Sequence, residues 1–355
     1  MTIKAHILTN LDPIKFSRLT PNGKGIWDGV EFSFGLTPPS NIDVLIYFSD
    51  PSWSIRVNLP RERIAFATGE PETVIHYSNA FLNQFACVVV SGTRSLKTKQ
   101  LKKGVCITWW AGYNFVNPSK SIQFDDLISW EMPNKDHRIS IITSKHSWLP
   151  MHRQRLAFIS QVEQAIPDRI IRYGHGEGLK FLPDKKDGLL PHQYHLALEN
   201  NTDRGCWTEK IADPLLCWSL PFYIGCPNVE DELPSDAFIR LDPTNPQKAI
   251  EKMIYCLEHD QWSKRLSAIS EARNLLLYRY NIMSIFARIA QSLINNSGKG
   301  KTTVYSMRVL PPDKGHKGSS WLRRKLRLLH LAVDPGSGMR RYRKRPTLQH
   351  FSSLN

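Results

Sequence analysis

The segment from Tyr194 to Pro227, YHLALENNTDRGCWTEKIADPLLCWSLPFYIGCP, constrains the fold more than any other part of the chain. Tyr194 to Leu198 is apolar enough for a buried strand, and Glu199, Asn200 and Asn201 set one carboxylate and two amides at its carboxyl end. Thr208 reads as an N-cap, which puts Glu209 and Lys210 in the first turn of a helix. The apolar run beyond that helix is a second strand. Strand, helix and strand form the repeating unit of an open α/β sheet. In such sheets ligands bind beyond the carboxyl ends of the strands, and helix N-termini attract phosphate. A lysine there suits an anionic ligand, and a carboxylate beside it suits ribose or sugar hydroxyls.

With 355 residues the chain is long enough for two domains with sizeable cores. The six cysteines, Cys87, Cys106, Cys206, Cys217, Cys226 and Cys256, form no C-x-x-C pair and no zinc-type spacing. Their apolar neighbours make them reduced core residues, as in a cytosolic protein. The start, MTIKAHILTN, lacks the apolar run of a signal peptide, and no window reaches the roughly 18 apolar residues of a membrane span. A cytoplasmic location is therefore expected. The net charge of +15 would suggest nucleic acid, but it is concentrated at one end. From Lys299 to Asn355 fourteen Lys and Arg are opposed only by Asp313 and Asp334, which leaves about +3 for the first 298 residues.

Short apolar runs alternate with turns through the first part: Ala5 to Leu8, Val44 to Phe48, Ile64 to Ala67 and Ala86 to Val90, with a helix expected from about Glu72 to Gln84. These runs read as buried parallel strands. The polar break at Met132 to Asp136 is a domain boundary. Beyond it, Arg138 to Thr143 reads as a strand, Met151 to Ile166 as a helix, Arg169 to Tyr173 and Phe238 to Leu241 as strands, and Pro246 to Asn296 as helical. The expected organisation is an N-terminal Rossmann-like domain over 1–135, a second over 136–298 with terminal helices, and a basic tail over 299–355. Two Rossmann-like domains facing a cleft, with a helical C-terminus, is the α/β arrangement called GT-B.

Leu198-Glu199-Asn200, Thr208-Glu209-Lys210 and Pro221-Phe222-Tyr223-Ile224-Gly225-Cys226-Pro227, in that order over about thirty residues, resemble the donor-binding signature of family 10 glycosyltransferases, the α-1,3/4-fucosyltransferases that use GDP-fucose. Ala67-Thr68-Gly69-Glu70 resembles the T-G-E-N segment of the family's acceptor domain. The resemblance implies an inverting transfer in which Glu70 is the base that deprotonates the acceptor hydroxyl. By itself, Glu70 reads more readily as a solvated loop glutamate before Pro71. The resemblance also implies that Arg155 and Lys210 neutralise the leaving diphosphate without a metal or any cofactor; Arg153, two residues away, is an alternative. Glu209 would face the ribose and fucose, Asn200 a phosphate, and the Tyr173-Gly174-His175-Gly176 turn the nucleotide. Cys206 stands where the family often has an aromatic residue, so Trp207 is the expected replacement for the stacking contact. Pro214 stands where alanine is common, and an interior proline costs roughly 3 kcal/mol and kinks a helix. The implied acceptor is a GlcNAc- or galactose-containing glycan, on a lipid-linked or surface polysaccharide such as lipopolysaccharide. The alternatives are another nucleotide-sugar transferase on the same fold, or an inactive glycan-binding or membrane-associated scaffold.

In the tail, Trp321 to Leu331 places Leu322, Leu326 and Leu329 on one helical face and Arg323, Arg327 and His330 on the other, with Lys325 snorkelling from the apolar side. Such a basic amphipathic helix suits an anionic membrane surface, here over residues 319–345, and so a peripheral place on the inner membrane. A solvated basic tail is the plainer reading. No aromatic-basic interleaving or binding module points to nucleic acid.

Overall fold

The computed structural model describes residues 2–48, 54–91, 96–143, 150–174, 178–296, 306–309 and 314–315. In the first part of the chain lie β1 (Ile3–Leu8), β2 (Ile26–Trp27), β3 (Val30–Gly35), β4 (Val44–Phe48), β5 (Ile55–Asn58), β6 (Ile64–Ala67), β7 (His76–Tyr77), β8 (Cys87–Val90) and β9 (Lys99–Lys103). Seven of them form one sheet in the order β2-β3-β1-β4-β6-β8-β9, with every neighbour parallel except the β2–β3 pair. A second sheet follows from β10 (Asp136–Ile142), β11 (Ile170–Tyr173), β12 (His192–Leu198), β13 (Leu220–Ile224) and β14 (Ile239–Arg240). Its order is β11-β10-β12-β13-β14, parallel throughout. β4, β6 and β12 are buried at every position; β4 and β6 accordingly carry unbroken apolar runs rather than alternation, while β12 also holds the buried His192, Gln193 and His195.

The carboxyl ends of the two sheets meet. Thr73, in the loop beyond β6, donates its hydroxyl to Asp203 Oδ2 beyond β12 at 2.9 Å. The boundary at Met132 to Asp136 is not a loose linker. Lys135 Nζ is buried there and donates to the carbonyls of Leu189, Leu190 and His192 and to Ser219 Oγ, at 2.7–3.1 Å. Burial pulls its ammonium down to about 7.

Three expectations change. The helix expected from Glu72 is confined to Asn79–Leu82, because Ser78 caps it by accepting from Phe81 N and the preceding His76–Tyr77 is drawn into a strand pair. The terminal helix Ile282–Asn296, grouped on sequence with the second domain, packs against the first sheet: Phe286 meets Phe16 and Phe48 at centroid distances of 6.5 and 5.3 Å. The chain then stays on the first domain. β15 (Ser306–Val309) pairs antiparallel with β5, and β16 (Lys314–Gly315) with β7. The amphipathic segment at 319–345 lies outside the described residues. All six cysteines are free and buried, as expected of core thiols.

Candidate active site

The turn after β12 is built around Glu199. Its side chain is fully enclosed, and its two oxygens accept from Thr208 N and Thr208 Oγ1, both at 2.7 Å. This carboxylate fixes the residue that caps the next helix, Glu209–Leu216, where the Thr208 side chain accepts from Lys210 N. The fit needs Gly225 at the end of β13: a Cβ there would stand 2.4 Å from Glu199 Cγ and 2.5 Å from the Tyr223 hydroxyl oxygen. Sequence reading placed Glu199 at the strand end but not in this supporting role.

Lys210 Nζ is held 3.6 Å from Glu199 Oε2 and 3.4 Å from Glu209 Oε1, and donates to Thr208 Oγ1 at 3.2 Å. The flanking carboxylates outweigh its burial and keep the ammonium charged well beyond its ordinary range. Burial would raise the Glu209 carboxyl, but Lys210 and Lys185 hold it down to about 2. Lys185 Nζ lies 3.4 Å from both Glu209 Oε1 and Asp213 Oδ2. Asp213 in turn accepts from the backbone N–H groups of Trp110 and Ala111 at 2.9 and 3.1 Å, and burial lifts its carboxyl to about 6. The helix Glu209–Leu216 is thus tied to the first domain through its middle turn. Lys185 and Asp213 escaped sequence analysis, although Glu209 and Asp213 stand four apart on one helical face.

Arg155, on the helix Pro150–Ala165, donates from Nη1 to Asn200 Oδ1 at 2.6 Å. Its Nε is buried with no hydrogen-bond partner, and burial together with Arg172 lowers its guanidinium's affinity for a proton. An anion would relieve both costs. Arg155 and Lys210 line the same narrow cavity at the ends of β10 and β12, with Thr143 and His195. Arg153, the alternative, is exposed and does not line this cavity. His195 was not singled out from the sequence; it is buried against Ser140 Oγ at 2.8 Å, and burial lowers it to about 3, so it lines the cavity as a neutral ring.

Glu70 comes from the opposite sheet. Thr68 Oγ1 accepts from Glu70 N at 3.0 Å and shapes the turn after β6. The carboxylate reaches solvent, yet the surrounding walls raise its pKa. Lys210, opposing that rise, and Glu209, adding to it, are the charges it feels. The two halves therefore bring Glu70, Lys210, Glu209, Arg155 and Asn200 to one junction. Tyr173 and Trp207 are not part of it. Tyr173 is buried with its hydroxyl 3.0 Å from His192 Nε2. Trp207 is buried edge-on to Tyr280, and its indole N–H donates to Glu232 Oε2 at 3.2 Å. The expected stacking contact therefore has no exposed ring at Trp207, because that ring fills the core behind the helix. Gly174 does make a close approach: with φ at +152°, a Cβ would stand 1.8 Å from the Thr143 carbonyl oxygen. His175 and Gly176 lie outside the described residues. Among the described residues, no group of three His, Cys, Asp or Glu is placed to hold a metal ion, and no helix is long and apolar enough to cross a membrane.

Residues 132–265 match the family described as glycosyltransferase family 10 (fucosyltransferase) C-term. Over 141 residues the chain is 28% identical to 4-galactosyl-N-acetylglucosaminide 3-alpha-L-fucosyltransferase 9 of Bos taurus and to the protein of the same name from Homo sapiens. Each alignment takes in 38% of this chain and 36% of the relative, so the chain spans about a third of the length of the curated relatives it matches. In three dimensions it is similar to an alpha1,3-fucosyltransferase crystallised with GDP (TM-score 0.51, 16% identity, 84% of this chain and 91% of that one). A further crystal structure of an alpha1,3-fucosyltransferase superposes with TM-score 0.50 at 16% identity, over 84% of this chain and 90% of that one. At such identity the likeness concerns the fold, which is GT-B. The matched interval contains Arg155, Asn200, Glu209 and Lys210; Glu70 lies outside it.

Proposed function

We propose, from the match of residues 132–265 to the family described as glycosyltransferase family 10 (fucosyltransferase) C-term, that this chain transfers L-fucose from GDP-fucose, with inversion, to a hydroxyl of a GlcNAc- or galactose-containing glycan. The observation that carries the reading is the convergence of Arg155 and Lys210 on one cavity at the carboxyl ends of β10 and β12, with Glu70 facing them from the other sheet. The names of the relatives, and the GDP in one similar crystal structure, supply the sugar and the nucleotide.

In this reading Arg155 and Lys210 hold the diphosphate. Both are positively charged before the donor arrives, so negative charge developing on the leaving phosphate meets cations already in place. Asn200 fixes the guanidinium and turns its amide N–H groups to a phosphate oxygen. Glu209, kept ionised, accepts from sugar hydroxyls and stabilises positive charge at the anomeric carbon. Glu70 takes the proton from the acceptor hydroxyl as its oxygen bonds to the anomeric carbon and the bond to GDP breaks. Two cations at the diphosphate let the reaction run without a divalent metal. The basic segment 319–345 would hold the enzyme at an anionic membrane surface, where a lipid-linked acceptor of the lipopolysaccharide type is presented.

The test is a titration with GDP, UDP and CDP, followed by transfer from GDP-fucose to N-acetyllactosamine with and without EDTA. GDP is expected to bind most tightly, and EDTA to leave turnover unchanged. Glu70→Ala should abolish transfer while GDP still binds. Preference for UDP would move the reading to another sugar donor, and absence of nucleotide binding would leave only a scaffold.

A further inference from the structure

We infer that the returning C-terminal segment, β15 and β16, is a positioning element for the loop that carries Glu70. This rests on the reading of Glu70 as the base. The loop from Thr68 to Tyr77 runs between β6 and β7 and touches neighbouring segments through Glu72 N to Ser91 Oγ and Thr73 Oγ1 to Asp203 Oδ2. At its inner end Thr68 N donates to the Val89 carbonyl and Thr68 O accepts from Cys106 N, and the Thr68 hydroxyl shapes the turn that follows: Oγ1 accepts from Glu70 N at 3.0 Å, donates to Glu70 O at 3.1 Å, and sits 3.3 Å from the Tyr77 hydroxyl. Its outer end is His76–Tyr77, the two-residue strand β7. A strand this short is marginal without a partner, and its partner is Lys314–Gly315.

The returning segment is anchored before it reaches the loop. β15 pairs over four residues with β5, in the register Ser306 to Asn58 through Val309 to Ile55. Val309 is fully buried, in the cluster that also holds Tyr77, Phe66 and Phe81. Tyr77 packs on Phe66 and Phe81 at 4.8 and 5.6 Å between ring centroids. One continuous path therefore runs from the C-terminal strand through the Tyr77 ring and hydroxyl to Thr68 and the Glu70 backbone. On the other side, His76 Nδ1 lies 2.9 Å from Glu72 Oε1, and Glu72 N donates to Ser91 Oγ at 2.6 Å. With β16 in place, Tyr77 and His76 hold both flanks of the base. Without it, the Glu70 carboxylate keeps its chemistry but loses its aim, and misplacement by about 1 Å can cost on the order of 10²-fold in rate.

The experiment compares the full chain, a chain ending at Gly318, a chain ending at Tyr305, and the full chain carrying Lys314→Pro and Gly315→Pro. In an antiparallel pair alternate residues carry the ladder bonds, so two successive prolines remove whichever N–H is used. Three quantities are read: deuterium exchange of the amides from Thr68 to Tyr77, GDP affinity, and kcat and KM for the acceptor. Ending at Gly318 is expected to change none of them. Ending at Tyr305, and the double proline variant, are expected to speed exchange from Thr68 to Tyr77 and to lower kcat roughly 10-fold or more, with GDP affinity within about twofold because the donor half is untouched. Unchanged exchange and unchanged kcat in the double proline variant would overturn the inference even if the shorter chain failed to fold. If the full chain transferred no fucose but exchange still rose, the strut would stand and the reading of Glu70 as base would fall.

Discussion

Lys210 is the residue on which the donor half turns. It is shared between Glu199 and Glu209, and a bound diphosphate would draw it from those partners while keeping it charged. Lys210→Ala should lower kcat/KM by about 10²–10³, the loss seen when one preorganised charge-stabilising donor is removed. Circular dichroism should stay native, since Glu199 would keep both bonds to Thr208. The same triad sets the pH response. Crowding raises Glu70 above the ordinary glutamate value of 4.5, while Lys210 opposes and Glu209 adds to the rise. A base works only when ionised, so activity should fall as pH drops through this raised value. The acid limb of kcat against pH is expected above 4.5, moving up in Lys210→Met and down in Glu209→Gln. A limb that ignored both substitutions would remove Glu70 as the group it reports.

At the scale of elements, the helix Glu209–Leu216 absorbs a proline that sequence reasoning expected to kink it. Pro214 is its sixth residue, so the N–H it lacks would have bonded to the Lys210 carbonyl; the helix nevertheless runs unbroken to Leu216. The Pro214 carbonyl is put to use at the end, where it accepts from Cys217 N at 3.1 Å and Ser219 N at 2.8 Å. The helix start is held separately by Thr208 and Glu199, so the proline need not displace Lys210. Pro214→Ala should regain about 1 kcal/mol from one hydrogen bond and lose a similar amount to the space left by the ring. Chemical denaturation should therefore show stability within about 1 kcal/mol of the parent, with GDP affinity unchanged. A tighter GDP complex would mean that the ring does distort the anion-binding turn.

At the scale of the whole molecule, the chain crosses to its second sheet near residue 135 and comes back in the helix Ile282–Asn296, and the last described residues, in β15 and β16, pair with strands of the first domain. Deleting residues 319–355 should release the protein from vesicles containing anionic lipid, while turnover of a soluble acceptor persists; vesicle binding that survives the deletion would refute the membrane role. Much of this architecture could be read along the chain. The mostly apolar runs Val44 to Phe48, Ile64 to Ala67 and Tyr194 to Leu198 announce central strands because a strand covered on both faces is largely apolar, its polar exception His195 being paired with Ser140. Thr208-Glu209-Lys210 announces a capped helix start because capping is a local property of three or four residues. What the sequence could not disclose is long-range: that Asp213 reaches back to Trp110 and Ala111, that Lys185 joins Glu209, that Trp207 faces the core rather than the ligand, and that residues after Ser306 brace the loop of Glu70. Those pairings join residues from 24 to more than 200 positions apart, and no local pattern encodes them. They exist because two sheets fold with their carboxyl edges face to face, and packing in that junction then decides which polar groups are paired and which remain for the substrate.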